Sequence, residues 1–201
     1  MKILCLGDSL TEGDYGLYGK HGIANVQKES YPYFLSLLTD AQVINGGRCG
    51  ARASSELRYY KTELREHHDF SSVDAVMIML GSNGGLTAFS DSDENAAYGE
   101  LVDLVRADCP AARVYLCPPP HITRGITPEA MLQANVVSEA RTFVRRFASQ
   151  RGLPVIPTDR IPEFTDENEF IYQPNDGCHF SKKGYMVLAA FIAAHIGAPE
   201  G

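Results

Sequence analysis

Apolar residues gather in five short runs separated by amphipathic stretches. The runs Lys2–Leu6, Gln42–Asn45, Val73–Leu80, Arg113–Cys117 and Leu153–Ile156 have the length and composition of strands. Val73–Leu80 is apolar almost throughout, which predicts a central strand covered on both faces. Helix signals fill the intervals. Ser30 precedes Tyr31–Leu38, Ser92 stands before a segment carrying Leu101, Leu104 and Val105, and Thr127-Pro128 opens a helix that Gly152 ends. Within that helix Val137, Ala140, Val144 and Phe147 recur at spacings of three and four, a stripe that faces the core. Ala51–Glu66 reads as a charged amphipathic helix with His67-His68 beyond it in solvent, and a last helix follows Ser181 to about His195. The βαβα alternation predicts an α/β fold, a three-layer α/β/α sandwich around a mainly parallel five-stranded sheet with right-handed crossovers.

A chain of 201 residues fits one domain spanning 1–201, and no repeat, low-complexity tract or linker interrupts it. Hydrophobic residues at 44% and charged residues at 21% set disordered and fibrous classes aside. The net charge of −7, with no basic run beyond Arg145-Arg146 or Lys182-Lys183, argues against nucleic acid as a partner. The longest apolar stretch, Met186–Ala194, falls far short of the roughly 20 residues that span a bilayer, so no membrane partner is expected. The first apolar run ends at Gly7, too early for a secretory signal, and a cytoplasmic location is the expectation. Five cysteines (Cys5, Cys49, Cys109, Cys117 and Cys178) without a CxxC pair suit reduced thiols rather than disulfides or zinc. Neither a metal nor a cofactor is expected.

In an open α/β sheet ligands bind beyond the carboxyl ends of the strands, and the polar residues of this chain concentrate there. Gly7-Asp8-Ser9-Leu10 follows the first run and places a serine hydroxyl where a nucleophile acts. Asp176 and His179 precede the last helix at a spacing that sets the carboxylate against one imidazole nitrogen and leaves the other for Ser9. The glycines of Asn45–Gly50 let backbone N–H groups approach a substrate closely, and Asn83 in Gly81–Gly85 is a neutral donor for an oxyanion. Two longer connections, Glu12–Glu29 and Pro118–Gly125, wall the same edge; Tyr15, Tyr18, His121 and Arg124 in them are candidate substrate contacts, with ordinary surface loop as the alternative for each. Singly, each block equally fits a tight turn or a helix cap. Their weight comes from falling past strands of one sheet. Cys49 and Cys178 lie near these blocks, and core or near-site thiols are the expectation for both.

Together the blocks resemble the SGNH or GDSL hydrolases, along the whole chain. Gly7-Asp8-Ser9-Leu10 is similar to the family's first block, Val43–Gly50 to its second, Gly81-Ser82-Asn83 to its third, and Asp176 with His179 to its last. The resemblance implies a flavodoxin-like SGNH hydrolase fold, a Ser9 nucleophile, and an oxyanion site made by the Ser9 N–H, Asn83 and Gly50, with Gly47 as the alternative register. Asp8 joins the candidate substrate contacts. Two departures are Gly84, where the family often has Asp and which loosens the Asn83 loop, and Phe180, where it often has Pro and which alters the mouth of the site. The activity implied is a serine esterase acting on a small-molecule O-acyl ester, an acetyl group on a carbohydrate foremost. A thioesterase or lysophospholipase-type acylhydrolase is the alternative within the family, and the lack of a long apolar lid weighs against lipase action. From a different class, a noncatalytic phosphate- or nucleotide-binding protein explains Ser9 but leaves Asp176 and His179 idle, and no GxGxxG or Walker lysine is present. A metal hydrolase using Asp8, Asp14 and His179 is a more remote third. Oligomeric state is not legible.

Overall fold

The structure, a computed structural model, describes residues 1–14, 16, 29–123 and 128–196, and the side chains of 128–134 are not among those described. In chain order its elements are β1 (Lys2–Gly7), α1 (Ser9–Glu12), α2 (Tyr31–Thr39), β2 (Gln42–Gly47), α3 (Ala53–Tyr59), a π-helical segment (Tyr60–Leu64), α4 (Arg65–His67), β3 (Ala75–Met79), α5 (Asp93–Asp108), β4 (Arg113–Leu116), α6 (Pro128–Arg151), α7 (Glu169–Tyr172) and α8 (Lys182–His195). The strands form a parallel sheet in the order β2-β1-β3-β4.

Side-chain alternation along the strands divides the core in two. Leu4, Leu6, Val76 and Ile78 face one layer, where Leu57 of α3, Leu101 and Val105 of α5 and Val144 of α6 close over them. Ile3, Cys5, Met77 and Met79 face the other, against Phe34 and Leu35 of α2 and Leu188 and Ile192 of α8. Every residue of β3 is buried, as its unbroken apolar run requires for a strand with helices on both sides. The α/β/α sandwich expected from the sequence is therefore present. No helix among the described residues is long and apolar enough to cross a membrane.

Two expectations need correction. Among the described residues the sheet has four strands, not five: the run at Leu153–Ile156 makes one isolated parallel bridge, Val155 opposite Leu116. The Leu116 N–H donates to the Pro154 carbonyl at 3.0 Å and the Ile156 N–H to the Leu116 carbonyl at 3.1 Å, but Pro154 and Pro157 have no N–H with which to extend a ladder. The helix expected over Ala51–Glu66 starts at Ala53 and widens into π geometry at Tyr60–Leu64. That wide turn keeps Tyr60 and Leu64 both in the core while Lys61, Thr62 and Glu63 stay exposed. Tyr60 stacks on Phe70 with ring centroids 5.4 Å apart. The serine caps are where the sequence sets them: Ser30, Ser92 and Ser181 accept from the N–H groups of Tyr33, Asn95 and Gly184 at 3.4, 3.1 and 3.2 Å.

Glu56 of α3 is an exception to the apolar interior. It is fully buried, and neither carboxyl oxygen has a hydrogen-bond partner among the described residues. Burial pushes its carboxyl up to about 8, with the charge of Arg48 and the approach of the Gly7 backbone, which falls short of hydrogen-bond geometry, opposing and the charge of Asp8 adding to the rise. The folded state thus holds a proton that the unfolded chain releases near pH 4.5, and stability falls as pH rises from there through about 8. Glu56→Gln should remove this dependence, so that urea denaturation midpoints measured from pH 5 to 9 decline less steeply than those of the wild type, the gap on the order of a few kcal/mol at the alkaline end.

Candidate active site

β1 ends at Gly7, and the chain turns at once into the single-turn helix α1. Asp8 is its N-cap, accepting from the Leu10 N–H at 3.0 Å, so Ser9 is the first helical residue. An N–H at this position has no intrahelical acceptor, and none is recorded for it among the described residues. At the other end of the chain, Asp176 organises its own loop by accepting on Oδ1 from the N–H groups of Cys178 and His179 at 2.9 and 2.8 Å. Its Oδ2 takes the His179 Nδ1–H at 2.6 Å. A carboxylate only accepts, so Nδ1 carries the proton and Nε2 is the accepting nitrogen. The Ser9 hydroxyl is 2.8 Å from that Nε2. Ser9 and His179 are both buried.

Burial alone would depress the His179 imidazolium, but the hydrogen bond and charge of Asp176, then the charges of Asp14 and Asp8, outweigh it and raise the ring above its ordinary value. Asp176 moves the other way. Burial works to raise it, and the His179 ring together with the two backbone N–H groups more than offsets this, holding the carboxyl below the ordinary range. Asp8 is raised, because its complete burial dominates the hydrogen bonds from Ser82 and Leu10.

The loops from the neighbouring strands are fastened around this pair. Asn83 donates its Nδ2–H to the Ala51 carbonyl at 3.0 Å, which leaves the amide one further N–H. Gly50 has φ of +71°, and a β-carbon there meets nothing within 4 Å; no acceptor for its N–H is recorded among the described residues. Gly47 differs on every count. Its N–H is committed to Asn45 Oδ1 at 2.9 Å, and a β-carbon there would run into the α1 backbone, 2.6 Å from the Thr11 carbonyl carbon. Gly47 is thus a packing glycine, which leaves Gly50 with the accessible N–H.

Other expected residues fall elsewhere. Asp8, expected among the substrate contacts, is 1% exposed and braced on Oδ2 by the Ser82 hydroxyl. The His121 ring turns to Asp166, with Nε2 2.8 Å from its carboxylate, while the His121 carbonyl accepts from Gln173 Nε2 at 2.7 Å. Tyr15, Tyr18 and Arg124 lie outside the described residues. Phe180, expected at the mouth of the site, is instead fully buried and stacked on Phe164 at 4.4 Å. Gly84 does not leave the Asn83 loop slack: its N–H closes a turn onto Gly81 at 3.3 Å, at φ of +79°. None of the five cysteines is in a disulfide, and Cys49 is exposed while the other four are buried.

The sequence did not single out Thr123 or Gly16 for the site, and Asp14 only as a remote metal ligand. The Thr123 N–H and hydroxyl both donate to the Gly177 carbonyl, at 2.8 and 3.0 Å, tying the loop after β4 to the Asp176 loop. Gly16, at φ of +71°, lies so close over Asp176 that a β-carbon would sit 2.5 Å from Oδ2. Asp14 Oδ2 is 4.0 Å from His179 Nε2. These residues belong to irregular connections, where spacing carries no signal for orientation.

A serine, an imidazole and a carboxylate in one hydrogen-bonded line, beside N–H groups with no acceptor of their own, define an α/β protein equipped for nucleophilic acyl chemistry. The family is narrower than that description. Residues 5–187 match the model of the GDSL-like Lipase/Acylhydrolase family, and the chain belongs to it. Among solved structures the fold is similar to a lipase/acylhydrolase from Enterococcus faecalis (23% identity, TM-score 0.69, covering 97% of this chain and 94% of that one). It is likewise similar to Est24, a carbohydrate acetylesterase from Sinorhizobium meliloti (20%, TM-score 0.73, 97% of both chains). A member of the lipolytic protein G-D-S-L family from Veillonella parvula gives 16% identity and a TM-score of 0.73 over 99% of this chain and 100% of that one. No match to a curated protein sequence reaches significance.

The contrast between the two glycines is open to direct test. Gly47→Ala should destabilise the fold by about 1–3 kcal/mol through forced displacement of α1, seen as a lowered denaturation midpoint, whereas Gly50→Asn, a residue that tolerates a positive φ at a place where a β-carbon meets nothing, should cost less than about 1 kcal/mol.

Proposed function

We propose that this protein is a serine esterase that hydrolyses small O-acyl esters, foremost acetyl esters of carbohydrates, through an acyl-enzyme on Ser9. The observation that carries this reading is the unbroken chain from Asp176 through His179 to the Ser9 hydroxyl, with contacts of 2.6 and 2.8 Å. In the first half-reaction His179 Nε2 takes the Ser9 proton as Oγ attacks the ester carbonyl carbon. The N–H groups of Ser9 and Gly50 and the remaining Asn83 amide N–H receive the oxyanion. His179 then passes its proton to the departing alcohol, leaving the acyl group on Oγ. Water repeats the sequence in reverse: His179 accepts its proton, hydroxide adds to the acyl carbon, and Ser9 leaves with the proton returned. Asp176 holds the ring in the tautomer that each step needs and opposes the charge that forms on it.

The preference for a small polar substrate rests on the site's surroundings. Charged groups stand close to the reacting atoms: Asp176, Asp14 and Asp8 all act on the His179 ring. Such surroundings favour a hydroxyl-bearing alcohol over a lipid chain. The likeness in fold to a carbohydrate acetylesterase agrees with this reading.

Ser9→Ala should abolish turnover of phenyl acetate and acetylated sugars and prevent labelling by a serine-directed phosphonate, read by intact-protein mass spectrometry. Labelling of Ser9→Ala to the wild-type extent would rule Ser9 out as nucleophile. Asn83→Ala should lose about 10²- to 10³-fold in kcat, the usual effect of deleting one oxyanion donor, with its circular dichroism unchanged; unimpaired ester turnover would remove Asn83 from that role.

A further inference from the structure

Asp14 is a second carboxylate on the imidazole, on the side opposite Asp176. It is buried, and its Oδ2 stands 4.0 Å from His179 Nε2, the nitrogen that faces Ser9. Four contacts hold it there, the first from its own N–H to the Ser9 carbonyl at 2.9 Å. Oδ1 accepts from the Gly16 N–H at 2.8 Å, the backbone carbonyl accepts from the Tyr185 hydroxyl at 2.5 Å, and Oδ2 lies 3.6 Å from the Cys49 thiol. No Lys or Arg among the described residues pairs with it; His179 is the one cationic partner recorded. Oδ2 therefore keeps accepting capacity beyond a weak thiol donor.

Any group that exchanges a proton with Nε2 comes within about 3 Å of it. It therefore comes within about 7 Å of Asp14 Oδ2, inside one Debye length at physiological salt. We propose that Asp14 determines specificity, admitting esters whose alcohol portion is neutral and carries hydroxyl groups and turning away esters with an anion beside the scissile bond. The inference rests on the esterase reading and names its substrate class. A hydroxyl next to the ester oxygen donates to Oδ2, while a carboxylate or phosphate there meets a like charge in partly desolvated surroundings, where repulsion is stronger than in water. His179 faces Asp176 from its own loop, Asp14 from the segment after α1, and Asp8 from the α1 cap, and all three raise its ring. Removing the Asp14 charge must then lower the imidazole's titration and bring the acid limb of the rate profile to lower pH, since the neutral ring is the base.

The test compares wild type with Asp14→Asn and Asp14→Glu. Asparagine retains an oxygen for the Gly16 N–H, and glutamate restores the charge. kcat/KM is measured for phenyl acetate and 3-acetoxybenzoate, each corrected by its rate with imidazole in water, and for glycerol monoacetate against propyl acetate. In parallel the His179 ring is titrated by NMR, which needs no turnover. The wild type should favour the neutral phenyl ester by about tenfold and the hydroxylated acetate over the plain one. Asp14→Asn should shrink both preferences to within about threefold and lower the His179 midpoint, and Asp14→Glu should restore them. Unchanged preferences, or an unmoved His179 midpoint, in an active Asp14→Asn enzyme would overturn the role given to Asp14 and leave the esterase reading standing. A wild type that turns over none of these esters would overturn the esterase reading and this selectivity with it, even if the His179 midpoint falls in Asp14→Asn as its geometry requires.

Discussion

The site depends on one topological constraint, the position of β1 between β2 and β3. Because all three strands run parallel, the connections after them leave the sheet at one edge and side by side. Ser9 enters from the middle connection, so the glycine loop after β2 and the Asn83 loop after β3 flank it. The imidazole comes from 170 positions away. It is delivered by a loop whose next residue, Phe180, is locked into the core against Phe164 and Tyr185. An aromatic anchor directly after His179 fixes the backbone that carries the imidazole, and α8 then runs in the layer it shares with α2. The covalent neighbours of His179 are thus tied to the core on one side and to Asp176 on the other, which limits the freedom that a hydrogen bond to Ser9 would otherwise have to overcome.

The connections at this edge are also tied to one another. Glu12 of α1 accepts from the Cys49 N–H at 2.6 Å, and Asp8 is joined to Ser82. Asn83 reaches Ala51, while Arg52 Nε returns a hydrogen bond to the Asn83 carbonyl at 3.0 Å. Thr123, after β4, holds Gly177 in the loop that carries Asp176 and His179. The other contacts join the segments that follow β1, β2 and β3 to one another. Donors fixed in this way do not reorganise when charge develops on a substrate oxygen, and that is the condition under which they lower a barrier.

Much of this was legible before any coordinates. The serine caps and the apolar runs set the helices and four of the strands, because capping and burial act over a few residues and leave a local trace. Ser9, Asp176 and His179 were legible because their spacing brings them to the ends of predicted elements. The fifth strand was not, since its apolar run looks like the others and only Pro154 and Pro157 mark its failure to pair. The π turn depends on Phe70 and Asp108, which approach Tyr60 from outside the helix. Asp14, Gly16 and Thr123 act through the paths of irregular loops, and a path of that kind leaves no period to read. Asp8 and His121 were legible as polar residues at the right edge, but their side chains turn to Ser82 and Asp166.

The two aspartates nearest the chemistry show how the environment divides labour between identical side chains. Asp176 receives three N–H donors, two of them backbone groups of its own loop, and its side chain keeps 26% of its surface in solvent. The charged form is therefore the favoured one, and it faces the ring that becomes an imidazolium. Asp8 is held by the Leu10 N–H and by the hydroxyl and backbone of Ser82, but it has almost no solvent, so its charge is penalised. A carboxyl in that position serves chiefly as a brace between the loops after β1 and β3 and acts on the His179 ring only through space. What separates them first is burial, almost complete at Asp8 and partial at Asp176, and then the His179 hydrogen bond that only Asp176 receives.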